Sequence, residues 1–307
     1  MVTTDPAVPD ISRVRQVPKT VKDTPSYTVF RIVNATVLVI VCGVTLYPFV
    51  NLIAKAFSSH GYIVAGQVNL WPRGFNTTTL MEVLTQGRFW TGYGNTVIHT
   101  VGGTAIAMAL TTTMAYALAK KHLKGRSFFI GMVVVTMFFN GGLVPNYLLI
   151  SGLGFKNTVW AIIIPNAISA FNLLVMKAFF ENFPSDLEEA AAIDGMTVYG
   201  IFFRIVLPLS KAVVATMILF YAVAFWNSWF PAMLYLSDPE LQPVTLYLRN
   251  LLAGATGAGR EAGMEEVQIG ANLQAVTMLL TVIPIVCVYP FVQKYFVSGV
   301  MLGSVKG

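Results

Sequence analysis

Five carboxylates, Glu181, Asp186, Glu188, Glu189 and Asp194, crowd into a short stretch between two apolar runs, 157–176 and 212–237, that hold none. Acidic residues at this density could serve acid–base or metal chemistry, but the partners for either are missing. His60, His99 and His122 stand alone, with no second ligand at helical spacing, and read as structural residues. No metal site is expected. The segment 254–259 lacks the Gly-Lys-Ser/Thr ending of a phosphate loop, so this chain should not bind ATP itself. No nucleophile, base and acid cluster together, so an enzyme is not expected. What remains for the acidic stretch is recognition, as a docking surface at a membrane face. A second set of polar groups lies inside the apolar runs: Asn140, Asn166, Asn172, Trp226, Asn227 and Trp229. Amides and aromatic faces together are what a sugar pathway needs. The same residues also fit an interfacial aromatic belt, for Trp229, and hydrogen bonds between helices, for the asparagines.

The elements that must present these groups can be read locally. Pro184 suits a helix start, and Ser185 followed three residues on by Glu188 reads as a capping box. Leu187, Ala190 and Ala191 share one face, and Glu188 and Glu189 fall away from it. Gly195 ends the helix, because a left-handed C-cap costs glycine little. A second helix carries Val198, Ile201, Phe202 and Ile205 on one stripe. Pro208 then removes a backbone donor and re-aims the chain into the next apolar run. The pattern predicts two short helices across a membrane surface with the acidic residues turned outward. An amphipathic interfacial helix with no partner is the alternative, but anionic headgroups would repel an acidic face.

The setting is a membrane. The chain has 307 residues, 55% of them hydrophobic and 11% charged, with a mean hydropathy of +0.67. Soluble domains carry about 25% charged residues, so the composition predicts an all-α membrane protein. The net charge of +6 arises from basic residues flanking apolar runs, which membrane orientation explains better than nucleic acid does. Cys42 and Cys287 lie within apolar runs and are expected as small core residues. Six windows free of Asp, Glu, Lys and Arg can be read: 32–54, 89–119, 127–155, 157–176, 212–237 and 267–293. Each reaches the roughly 20 residues that about 30 Å of hydrocarbon requires, and within lipid each must be helical. The second is expected to start near Asn95, past Gly92 and Gly94. Asn140-Gly141-Gly142 with Pro145 interrupts the third. The first is longer than a signal-peptide core of about 7–15 residues and is expected to stay uncleaved. Fourteen of the lysines and arginines fall on one side and six on the other. That asymmetry makes both termini and the acidic loop cytoplasmic. The organisation expected is a tail over 1–30, a six-helix domain over 31–296 and a tail over 297–307. Between them lie an inner loop over 184–208, an outer loop over 57–94 forming a small cap, and an outer loop over 238–266. The last is glycine-rich and expected to be a flexible tip.

Glu189-Ala190-Ala191, Gly195, Ile205 and Leu207-Pro208, at this spacing, resemble the EAA loop of permease subunits of ATP-driven (ABC) importers. With the six windows and the ending Gln293-Lys294-Tyr295-Phe296-Val297, Gly299 and Gly303 to Gly307, nearly the whole chain resembles the MalG-like half of carbohydrate permeases. Within these it is similar to the LplC/YtcP-like branch that serves polysaccharide fragments. The resemblance implies a type I importer (MetI-like) permease fold with EAA coupling helices, a multi-pass protein of the bacterial cytoplasmic membrane. It implies a second, MalF-like permease, two ATPase subunits holding ATP and Mg, an extracellular sugar-binding protein and an oligosaccharide that moves by alternating access. Glu188, Glu189, Ala190, Ala191, Asp194, Gly195, Ile205, Leu207 and Pro208 would couple to the ATPases. The tail Ser304, Val305, Lys306 and Gly307 would reach between them. Gly254, Gly257 and Gly259 would meet the binding protein, and Asn140, Asn172, Trp226, Asn227 and Trp229 are candidates for the sugar pathway. A stand-alone secondary transporter or channel is the other reading. It would need ionisable groups within the spans, where His99 alone is found.

Overall fold

The computed structural model describes residues 25–262, 272–288 and Pro290, and its described elements are helical apart from one isolated bridge, Ser58 to Phe75. The chain forms two units, divided after Val50. The first is most of α1 (Pro25–Ala56), whose side chains over 25–50 are all exposed. Thr36 and Thr45 return their hydroxyls to Ile32 O and Val41 O, each at 2.9 Å, so these two hydroxyls are satisfied within the helix.

The second unit begins at Asn51. A short excursion carries α2 (His60–Val64) and α3 (Thr78–Thr85). Phe57 stacks on Phe75 at 5.8 Å beside the bridge. Next come α4 (Gly87–Ala119), α5 (Arg126–Phe138) and α6 (Leu143–Gly152). They are followed by α7 (Trp160–Ile163), which runs into a 3₁₀ turn over Ile164–Asn166, and α8 (Ala170–Glu181). Then follow α9 (Ser185–Ile193), α10 (Val198–Ile201), a π turn over Phe202–Val206, α11 (Leu207–Leu209) and α12 (Lys211–Trp226). The order closes with α13 (Trp229–Tyr235), α14 (Val244–Ala262) and α15 (Asn272–Val288).

Among the described residues, α1 and α4 are each long and apolar enough to cross a bilayer unaided. Others pass only as bent pairs. The pair α5 and α6 bends by 118° at Phe139–Gly142, where Gly142 has φ +86. Helices α7 and α8 bend by 48°. The segment Val198–Leu209 meets α12 at 83°, with the break at Ser210. Of the window 267–293, the described part is α15.

Helix α4 is the centre of the unit, packing mainly against α12 and α8. Its inner face is built from small residues, Gly103, Thr104, Ala107, Thr111 and Ala115, ending in Tyr116. In lipid, such residues let backbones approach where apolar burial alone gives little drive. A Cβ on Gly103 would lie 2.7 Å from the Phe225 ring. At the helix's lower end Tyr116 packs edge-on to Phe180 at 5.9 Å and against Phe202 at 4.9 Å.

Three expectations need correction. Helix α4 starts at Gly87, not near Asn95. Gly92 is no breaker; it lets the Val244 backbone come close, 3.1 Å from where a Cβ would stand, while Asn95 Nδ2 donates to Glu240 O at 2.6 Å. The glycine-rich 238–266 loop is largely helical: α14 runs through Gly254, Gly257 and Gly259. Its first residues, Val244 to Leu248, are buried, and glycine costs only about 1 kcal/mol each in a helix so anchored. Cys42 and Cys287 are both exposed, not core residues. The tail residues Ser304, Val305, Lys306 and Gly307, the stretch 1–24 and 263–271 lie outside the described residues.

Candidate functional site

Helix α9 begins at Ser185 with Pro184 at the N-cap, and no side chain caps it. The expected capping box is therefore absent. With Ser185 already helical, its hydroxyl lies 3.5 Å from Asp186 Oδ1 and not on the backbone. Glu188, which should have reached back, pairs instead with Lys120 beyond the end of α4. The Lys120 ammonium also lies over the Tyr116 ring at 4.3 Å. Arg126, at the start of α5, pairs with Glu181, and Lys177 Nζ reaches the same carboxylate at 2.8 Å. The Lys177 hydrogen bond, with the nearby charges, holds the Glu181 carboxyl below the usual carboxylate range. So two of the five clustered acids turn inward and fasten the hairpin and α8 to the loop between α4 and α5. This corrects the expectation that Glu188 faces outward. Glu189 and Asp194 are exposed.

The end of α9 follows the sequence reading. Gly195 has φ +81, its N–H bonds Ala192 O and the Met196 N–H bonds Ala191 O, both at 3.0 Å. This is the paired 6→1 and 5→2 closure of a Schellman motif. Met196 and Ala191 belong to the same apolar cluster. Nothing lies within 4 Å of a Cβ at Gly195, so only φ opposes a side chain there. Gly195→Val should cost the motif about 1–2 kcal/mol or more, while Gly195→Asn, which tolerates left-handed backbone, should cost much less. Thermal melting of the two purified variants checks this.

After Thr197 caps Gly200 N at 3.3 Å, the stripe of the second helix shifts. Ile201, Phe202 and Val206 are buried, whereas Val198 is 63% exposed. The π turn over Phe202–Val206 adds a residue to the register, so Val206 takes the inward place expected for Ile205, which is half-buried. The outer surface of the hairpin consequently carries Ile193 and Tyr199, 86% and 77% exposed, beside Glu189 and Asp194. Large exposed apolar side chains of this kind are a feature that interaction surfaces share.

Elsewhere, the breaks after the Ile164–Asn166 turn and after α12 face each other across a cleft of about 520 Å³. Asn166, Ser169, Asn172, Tyr221, Asn227 and Ser228 supply its polar groups. Ser169 N–H donates to Tyr221 Oη at 3.0 Å, and that hydroxyl shares a 2.7 Å bond with Thr111 Oγ1 of α4. Asn166 Nδ2 and Asn227 Nδ2 each donate to their own helix at 2.9 Å, to Ile162 O and Val223 O. Broken helices lining a polar cavity are tolerated at membrane depth for the hydrogen bonds such a cavity offers.

Of the pathway candidates, Asn172 and Asn227 meet here. Trp226 does not: it is buried, donates from Nε1 to Thr281 O at 3.2 Å and packs edge-on to Tyr93 at 5.6 Å. Trp229 lies outside the cleft, with Arg249 over its ring. Asn140 is exposed at the α5–α6 break, accepting from Gly142 N–H at 3.0 Å and Asn146 Nδ2 at 3.2 Å. Ser169, Tyr221 and Ser228 were missed. Tyr221 carried a signal, since a phenol within an apolar run must find a partner.

The family described as binding-protein-dependent transport system inner membrane component matches residues 127–301. The chain is 38% identical to Protein LplC of Bacillus subtilis (strain 168) over 290 residues, covering 94% of this chain and 98% of that protein. It is 39% identical over 269 residues to the polygalacturonan/rhamnogalacturonan transport system permease protein YtcP of the same organism, covering 86% and 93%. Among solved structures it resembles a chain of a bacterial ABC transporter involved in the import of the acidic polysaccharide alginate. That match has a TM-score of 0.78 and 32% identity, over 90% of this chain and 100% of that one.

Proposed function

The chain belongs to the family of inner membrane components of binding-protein-dependent transport systems, and on that premise we propose that it is the MalG-like permease subunit of an ATP-driven importer of polysaccharide fragments. Such permease subunits are not themselves enzymes. In this reading the chain crosses the bacterial cytoplasmic membrane six times with both termini inside. It pairs with a second, MalF-like permease. ATP and Mg are held by two partner ATPase subunits, and sugar is delivered by an extracellular binding protein.

The observation that carries the reading is the hairpin over 184–208. Its inner side is fastened to the bundle by the Lys120–Glu188 pair, and its outer side leaves Glu189, Asp194, Ile193 and Tyr199 uncovered. An element fixed on one face and open on the other can transmit a partner's movement to the helices behind it. Glu189, Ala190, Ala191, Asp194, Gly195, Ile205, Leu207 and Pro208 form the coupling segment, with Glu188 as its internal tether. The cleft around Asn172, Tyr221 and Asn227 fits a hydroxyl-rich solute. Alternating access follows if ATP and sugar favour different arrangements of the same bundle.

Vesicles holding this chain with its partner permease, the ATPase pair and a binding protein should accumulate oligosaccharide only with ATP on the ATPase side. Accumulation that persists without ATP and without the ATPases would return the chain to the stand-alone transporter reading.

A further inference from the structure

After α1 the chain turns back on the helix it has just left. Asn51 Nδ2, in the last turns of α1, donates to Val68 O at 3.2 Å and to Asn69 O at 2.7 Å. Ala54 closes a small buried cluster with Ile63 and Val68. Further along, Ser59 N–H donates to Gly74 O at 2.7 Å, and Arg73 N–H donates to Ser58 Oγ at 3.0 Å. Between these two fixed points, Asn69 and Arg73, stands a short tip, Leu70-Trp71-Pro72.

The tip is pinned at both ends, yet its side chains are uncovered. Trp71 is 81% exposed, and among the described residues it makes no hydrogen bond or ring contact. Leu70 and Phe75 are exposed as well. So is Tyr62, whose ring lies 3.0 Å from where a Gly74 Cβ would stand. Apolar side chains held in place and left open mark an interaction surface. Depth identifies what covers it. Asn51 lies inside the apolar window 32–54, and Lys55 stands just past its end. The two bonds from Asn51 therefore draw the tip back to the level where that window meets the headgroups. Tryptophan and tyrosine favour this level, with the ring against the acyl chains and the polar edge in the wet layer. Charge agrees. No Asp or Glu occurs between Asp23 and Glu82, so the cations here, Lys55 and Arg73, have no acidic neighbours in sequence. Arg73 is exposed, and among the described residues it pairs with no carboxylate. A basic side chain beside interfacial aromatics reaches the lipid phosphates.

We propose that the 70–75 tip is a membrane anchor, with Trp71 and Phe75 seated at the acyl boundary of the outer leaflet and Arg73 on an anionic phospholipid headgroup. This rests on α1 crossing the membrane as in the topology above. The anchor fixes the outer end of α1 at one depth, and interfacial anchors of this kind set the tilt of a span.

The test uses the assembled importer in vesicles of phosphatidylcholine with or without phosphatidylglycerol. The difference in tryptophan emission between wild type and Trp71→Ala isolates this ring from the other tryptophans. Lipid brominated near the headgroup should quench that difference about two-fold or more, lipid brominated near the chain end should quench it less, and aqueous iodide should barely reach it. Arg73→Gln should raise iodide quenching about two-fold or more where phosphatidylglycerol is present, and little in phosphatidylcholine alone. Trp71→Ala in detergent should melt like wild type, because the ring makes no contact that the fold uses. Quenching by iodide and by neither brominated lipid overturns the inference. Protection from every quencher also overturns it, since a partner chain would then cover the ring. So does protection that appears only when the sugar-binding protein is added, which would make the tip a protein contact. An Arg73→Gln effect that is equal in the two lipid mixtures removes the headgroup from the site. ATP-driven uptake is read separately in the same vesicles, so the importer reading stands or falls on that measurement alone.

Discussion

Glu189→Lys should abolish ATP-driven uptake while leaving the helix bundle as stable as wild type. The side chain is exposed on the outer face of α9, and among the described residues no ion pair ties it to the bundle. In the proposed complex it enters an ATPase cleft, where reversing a desolvated charge costs about 2–5 kcal/mol of docking energy. Retention of the ATPases on the purified permease should therefore drop roughly 30-fold or more. The neighbouring Glu188→Lys should behave differently. It sets a second ammonium against Lys120 and Tyr116, so melting temperature and uptake fall together. Co-purification of ATPase and sugar uptake both at wild-type levels in Glu189→Lys would remove the coupling role from this hairpin.

Gly103→Val should strongly destabilise the fold. The position lies where α4 meets α12, and the first atom of any side chain would fall 2.7–2.8 Å from three carbons of the Phe225 ring. Phe225 is itself 2% exposed and belongs to the main apolar cluster, so it has little room to move. Overpacking of a filled interface costs about 1–3 kcal/mol, occasionally more, and the second and third methyl groups of valine add to the clash. Gly102 supplies the control one residue away. Its Cβ would meet only Ile163 Cδ1, at 3.7 Å, an ordinary contact, so Gly102→Ala should melt like wild type. If Gly103→Val in detergent melts with Gly102→Ala, close packing of α4 on α12 is not what holds this unit together.

The contrast between these two glycines marks where sequence reading stops. Both stand in one apolar window, and both read as small residues in a span. Which of them faces a ring depends on the rotation of α4 about its axis, and that is set by α8 and α12 from distant parts of the chain. Gly195 was legible because its reason is local: a left-handed turn must close α9 whatever surrounds it. Gly92 misled for the opposite reason. Its role, admitting the Val244 backbone, is a contact across more than a hundred residues, and no local pattern records it.

The candidate groups divide in the same way. Asn172 and Asn227 could be singled out as amides in apolar runs, but Trp226 and Trp229 look equivalent to each other in sequence and part in space. One donates to Thr281 O, the other lies under Arg249. Glu188 and Glu189 are adjacent carboxylates with one composition and two fates, because successive helical positions point about 100° apart and Lys120 waits on one side only.

By itself the sequence determined that this is a helical membrane protein and that the first helix of its acidic hairpin ends in a glycine C-cap, and its spacing resembles that of importer permeases. These follow from hydropathy, local backbone limits and fixed spacing, all of which act within a few turns of chain. Only the tertiary structure decided which acids turn inward, that the stripe slips through a π turn, that Ser169 and Tyr221 join the amides at one cleft, and that Arg249 covers Trp229. Those outcomes are fixed by helix rotation and by partners far apart in sequence.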